Sequence, residues 1–150
     1  MQQKTREFTL AVGVSFIKDK LAMVAGSAAN PEEFLEQIKE VSGLLVEKEL
    51  GVYEFAHLSF QEYLAAVQVK EWNREILLIQ NINNSWWAET IRLYAAQSNA
   101  SELIRAVLAL PSTSIEALAL AYDCLQEGLS VDSEVRKQLE EKLDADLESR

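Results

Sequence analysis

Apolar positions in the first part of the chain recur at helical spacing. Leu10, Val14, Ile17, Leu21 and Val24 form one stripe and predict a helix from Thr9 to about Val24, closed by Gly26. Asn30-Pro31-Glu32-Glu33 reads as the next helix start. Asn30 suits the cap, Pro31 the first turn, and the early carboxylates complement the helix dipole, so a second helix is expected over 31–41. The period then shortens to that of strands. Residues 44–48 and 52–56 are short β-prone runs around Glu49-Leu50-Gly51, a turn-compatible trio, and predict a hairpin. Helical spacing returns with Leu58, Phe60, Tyr63, Leu64, Val67 and Trp72, where Ser59 and Glu62 make a capping box and Phe60, Tyr63 and Leu64 are expected in the core.

Beyond Trp72 the pattern predicts a polar joint at 73–75, a short apolar piece at 76–79, a loop at 81–84, and from Ser85 a series of paired helices. Residues 86–97 are expected to pair with 100–110, and 115–127 with 132–147, with Pro111 and Gly128 as punctuation. Ala95, Ala96, Ala106, Ala109, Ala117, Ala119 and Ala121 would let helices approach closely, as in stacked helical hairpins of HEAT-like type. Two hairpins are fewer than the ~3 repeats that a free-standing array needs. They should therefore pack on the first half or await further repeats. Trp86 and Trp87 point about 100° apart on a helix, so one indole is expected in the core and the other at its edge. Val131, Val135, Leu139, Leu143 and Leu147 step by four residues, drifting ~40° each time, which suits a terminal helix lying across its neighbours better than a coiled coil. Glu140, Glu141, Asp144, Asp146 and Glu148 would be its solvated face. The expected organisation is a winged-helix-like part at 1–72, a joint and short helix at 73–85, and a helical-hairpin part at 86–150: mainly α, with one β-hairpin.

Composition narrows what such a chain can do. With 150 residues, 49% of them hydrophobic, it can bury a real core as one domain or two small ones. A net charge of −10 repels phosphate backbones and anionic lipid, so neither nucleic acid nor membrane is expected as a partner. The second helix makes the point locally, setting Glu32, Glu33, Glu36 and Glu40 against Lys39 alone. No apolar stretch approaches ~18 residues and the N-terminus has no hydrophobic signal core, which points to the cytoplasm. Cys124 is the single cysteine, so an internal disulfide is impossible, and it reads as a small hydrophobe at a helix interface. One cysteine and one histidine cannot build a structural zinc site, and no metal is expected. The five glycines are isolated and no G-x-x-x-x-G-K-[ST] occurs, so ATP hydrolysis is not expected of this chain. No set of nucleophile, base and orienting group can be assembled, and Glu62 fits the capping box better than a general-acid role.

His57, the only histidine, falls where the hairpin meets the following helix. Free backbone N–H groups and the dipole there favour an anion, to which a neutral imidazole can add one directed donor. Phe55, His57, Phe60, Gln61, Glu62, Tyr63, Ala65 and Ala66 match, in order, the pattern Phe-x-His-x-x-Phe-Gln-Glu-Tyr/Phe-x-Ala-Ala. This block resembles the close of the winged-helix domain in NACHT-type STAND signalling ATPases, a family that includes animal NOD-like inflammasome sensors and many bacterial defence proteins. Helix, helix, hairpin, helix is the winged-helix order, and similar helical tails follow it in the family. The resemblance implies that Met1 begins inside the domain's first helix, which would make the chain a fragment or a truncated relative. It also implies that His57 reaches the β-phosphate of ADP held by the preceding nucleotide-binding domain, with Phe55, Ser59, Phe60, Gln61, Glu62 and Tyr63 as structural support. The cofactor, ADP or ATP, would belong to the parent protein and none to this chain. The partners would be a NACHT domain in cis or in trans and proteins engaged by the helical half. The expected function is then a non-catalytic regulatory module coupling nucleotide state to opening and oligomerisation, with prokaryotic defence as the setting the resemblance suggests. The alternative is a stand-alone helical scaffold for a protein partner without nucleotide.

Overall fold

A computed structural model describes residues 6–148, which divide into two compact units meeting in sequence between Gln61 and Glu62. The molecule is mainly α with one small antiparallel sheet.

The first unit opens with a strand, β1 (Glu7–Thr9), followed by α1 (Leu10–Ala25). Thr9 caps α1 by accepting from the Val12 N–H, and the helix closes at Gly26, whose N–H donates to the Ala22 carbonyl. Then come α2 (Pro31–Gln37), a π-helical turn (Ile38–Ser42), and the hairpin strands β2 (Leu45–Glu49) and β3 (Val52–Phe55). The helix start at Asn30 is as expected: its side chain accepts from the Glu32 N–H, with Pro31 in the first turn. The hairpin is also as expected, turning at Leu50-Gly51 with Gly51 at φ 77°, a conformation in which a side chain would be strained.

Strand β1 is a departure from the sequence reading. It pairs with β3 to give the order β1-β3-β2, so Tyr53 sits opposite both Phe8 and Glu47. Three residues are too short a run to display a two-residue period, and pairing with β3 is what makes them a strand. The expected start of a helix at Met1 lies outside the described residues. In α1 the stripe Leu10, Val14, Ile17 and Leu21 is only half-buried, and Val24, 87% exposed, leaves it altogether. The helix is seated instead through Gly13. A Cβ there would come within 2.9 Å of the Phe8 ring and 3.1 Å of Leu35, so the absence of a side chain lets α1 approach both.

Helix α3 (Leu58–Glu71) starts one residue before Ser59, which therefore occupies the first turn and not the cap. Its buried positions are Glu62, Ala66 and Val69, whereas Phe60, Tyr63 and Leu64 are exposed at 37, 49 and 45%. The expected core face was thus rotated: small Ala66 allows close approach on one side, and the larger side chains are left on the other. The helix ends in a Schellman motif, with Asn73 left-handed at φ 51° and the Arg74 and Asn73 N–H groups donating to the Val69 and Lys70 carbonyls.

The second unit continues with α4 (Glu75–Gln80), a 3-10 turn (Ser85–Trp87) capped by Asn84, α5 (Ala88–Ala95), α6 (Ser101–Leu108), α7 (Ile115–Glu127) and α8 (Ser133–Glu148). The expected helices are all found. Trp87 is buried and Trp86 half-buried, Val135 and Leu139 are buried, and the side chain of Leu147 lies outside the described residues. The expected pairing of α7 with α8 is found, whereas α5 packs along α7, and α6 packs on α7 and α8. The reason lies in the turns. Asn99 accepts from the Ser101 N–H and starts α6 in a new direction, forming a parallel bridge with Ser130 in the turn one hairpin later. The Ala100 N–H donates to the Ser130 carbonyl, the Leu129 N–H to that of Ala95, and the Asp132 N–H to Ser101 Oγ. Of the alanines expected at contacts, Ala95, Ala117 and Ala121 are buried and Ala96, Ala109 and Ala119 are exposed.

Candidate functional site

His57 lies in the two-residue bend between the end of β3 at Phe55 and the start of α3 at Leu58. The hairpin fixes one side of that bend and the helix the other: the Ala56 N–H donates to the Leu44 carbonyl, and the His57 carbonyl accepts from the Phe60 N–H. His57 therefore immediately precedes the free N–H groups of the first turn of a helix 14 residues long. Its imidazole is exposed and meets the Phe60 ring edge-on, with centroids 5.4 Å apart and planes at 73°. That contact sets the ring's position while leaving its nitrogens available to hydrogen-bond.

The motif residues divide between two jobs. Phe55 anchors the strand side through Phe8, at 6.3 Å between centroids, and Glu62 and Ala66 bury the helix side. Phe60 lies against His57 itself. Ser59 and Tyr63 are exposed, and Gln61 is half-buried. On a helical projection Phe60 and Leu64 share the face that His57 begins, so the imidazole is followed by exposed apolar side chains on the same helix.

A polar network that the sequence reading missed holds the hairpin to α2. The Tyr53 hydroxyl donates to Glu36 at 2.6 Å, Lys39 bridges Glu36 and Glu47, and Glu47 accepts from the Gly51 N–H at the hairpin turn. Hydrogen bonds from Lys39 and Tyr53 hold the Glu36 carboxyl below its ordinary range, and those from Gly51 and Lys39 do the same for Glu47. The Glu36 hydrogen bond pushes the Tyr53 hydroxyl up to about 12, and the two carboxylates raise Lys39. The available clue was Lys39 itself, a single cation among four glutamates. Phe8, which stacks on Tyr53 at 6.1 Å, had no comparable clue outside its own strand.

Cys124 is buried, and burial followed by the nearby Asp123 and Glu127 charges pushes its thiol up to about 12, so it packs as a hydrophobe and not as a reactive thiolate. Among the described residues no group of three or more His, Cys, Asp or Glu side chains is placed to hold a metal, and no helix is long and apolar enough to cross a membrane.

A family model described as the winged helix-turn-helix domain C-terminal to NACHT matches residues 2–69. Neither a curated protein nor a solved structure matches the chain significantly. The matched segment takes in the three-stranded sheet, α1, α2 and the His57 bend, and a winged helix of this type is not itself a catalytic domain. Residues 2–69 are therefore similar to the winged helix-turn-helix domain found C-terminal to NACHT, which supports reading them as a C-terminal part of a NACHT protein.

Proposed function

We propose that this chain is the regulatory, non-catalytic module of a NACHT-type STAND signalling ATPase, in which His57 contacts the β-phosphate of ADP held by the NACHT domain. The observation that carries the reading is the state of His57. It is exposed beside the N-terminus of α3, is steadied by Phe60, and makes no side-chain hydrogen bond among the described residues. A purely structural histidine at a strand-to-helix junction would be expected to spend its ring nitrogens on the chain's own backbone. The exposed Phe60 and Leu64 beside it suit an apolar domain contact made in cis or in trans.

In this reading residues 1–72 sense nucleotide, 73–85 form a joint, and the helical part at 86–150 restrains or transmits oligomerisation through protein contacts. ADP held between the NACHT domain and His57 favours the closed form, and exchange for ATP removes that tie. Linkage then requires that breaking the tie favour opening by the free energy it takes from ADP binding. Signalling in prokaryotic defence is the biological setting that the family resemblance suggests. In a NACHT protein carrying this domain, His57→Ala should shift the ADP-loaded sample from monomer toward oligomer in light-scattering chromatography. A monomer fraction unchanged by the substitution would favour the alternative, a helical scaffold that binds a protein partner without nucleotide.

A further inference from the structure

Glu75 opens α4 and is a carboxylate taken partly out of water with no ion pair among the described residues. Its Oε1 is buried with no hydrogen-bond partner among the described residues, while α4, whose Leu78 is fully buried, packs on α6. The groups that face it do not help the ionised form. Glu102 of α6 repels it, and Tyr94 of α5 is an uncharged phenol that feels the Glu75 charge.

The basic residues of the surrounding elements are committed elsewhere. Arg105 of α6 is paired with Glu102 and Asp132, and Arg92 of α5 with Glu89, Asp123 and Glu127. Arg74, adjacent in sequence, lies over the Trp72 ring at 5.7 Å. An ionised carboxylate here loses water and gains no countercharge, whereas the neutral acid loses much less.

We propose that Glu75 is a proton-operated latch, so that α4 holds to α6 more tightly when the Glu75 carboxyl is neutral than when it is ionised. Burial first, and then the Glu102 charge, hold that carboxyl above the ordinary carboxylate range. The sign follows. A group that binds its proton more tightly in the folded state lends its full stability below its unfolded titration point, and this is lost as pH rises through the folded one. Glu36, Glu47 and Asp132 are all displaced in the opposite direction, so Glu75 stands apart from the other shifted carboxylates in the site and the stitched turns.

The test uses the full chain, following the Glu75 side-chain carboxyl by 13C NMR titration and the α4 amides by hydrogen-exchange protection factors over the same pH range. Glu75 should titrate above an ordinary glutamate. Protection of the Leu78 and Ile79 amides should fall as pH rises through that titration, roughly tenfold for each unit of displacement. In Glu75→Gln the fall should vanish. A Glu75 that titrates at or below the ordinary range, or α4 protection with the same pH course in wild type and Glu75→Gln, overturns the proposal. Should the variant not fold, the wild-type carboxyl titration decides alone.

Discussion

At residue scale the environment of each motif side chain separates what holds the site from what the site presents. Phe60 is the clearest case. Its position in the motif suggested a core residue, and full burial would make its truncation cost about 3–5 kcal/mol. The ring is 37% exposed and leans on His57, so Phe60→Ala should cost only about 1–2 kcal/mol in urea denaturation, and a loss at the full-burial level would mean that the helix face is assigned wrongly. The miss has a physical cause. Leu58, Phe60, Tyr63 and Leu64 carry apolar character around a broad arc of α3, and periodicity alone could not tell which edge of the arc is buried. The deciding residues were Ala66, small enough for close packing, and Glu62, buried despite its charge. His57 was legible because it is unique and sits between two changes of period, although its exposure and the lack of a side-chain hydrogen bond among the described residues were not.

At the scale of elements, local chemistry at helix ends carried far in the sequence. The Asn30 cap and the Gly26 closure of α1 were read there, while Thr9, Asn84 and Ser114 cap the helix or turn that follows without having been singled out, and the capping box at Ser59 was not found. What was not legible depends on distant partners: β1 exists because β3 accepts it, and α5 lies along α7 because the turns at Asn99 and Ser130 are bridged. The network on the hairpin is of the same kind, and it predicts a pH dependence. Glu36 and Glu47 have lowered folded-state values, so their contribution is complete above the ordinary carboxylate range and is lost as pH falls through the folded values. Lys39→Gln should therefore lower the melting temperature relative to wild type at pH 7, with a gap that closes toward pH 3. A gap of constant size across that range would show that Lys39 acts through packing and not through the two carboxylates. These groups are close to solvent, so the gap should also shrink with added salt.

For the whole molecule, fold class and the winged-helix identity of residues 2–69 were both accessible from the pattern of periods and the block from Phe55 to Ala66. The net charge of −10, with an acidic α2 where a DNA-reading winged helix would be basic, disfavours a phosphate backbone as partner, and the proposed partner is a NACHT domain. The central claim is that His57 acts on nucleotide bound by that neighbour, not on the stability of its own domain. The most direct measurement is calorimetric ADP binding to a NACHT protein carrying this domain, for wild type and His57→Ala, alongside urea denaturation of both. Loss of one imidazole-to-phosphate hydrogen bond, about 1.5–3 kcal/mol, should weaken ADP binding roughly tenfold to hundredfold. Unfolding of the exposed-site variant should stay within about 0.5 kcal/mol of wild type. An ADP affinity unchanged by His57→Ala, with the protein fully folded, would contradict the account.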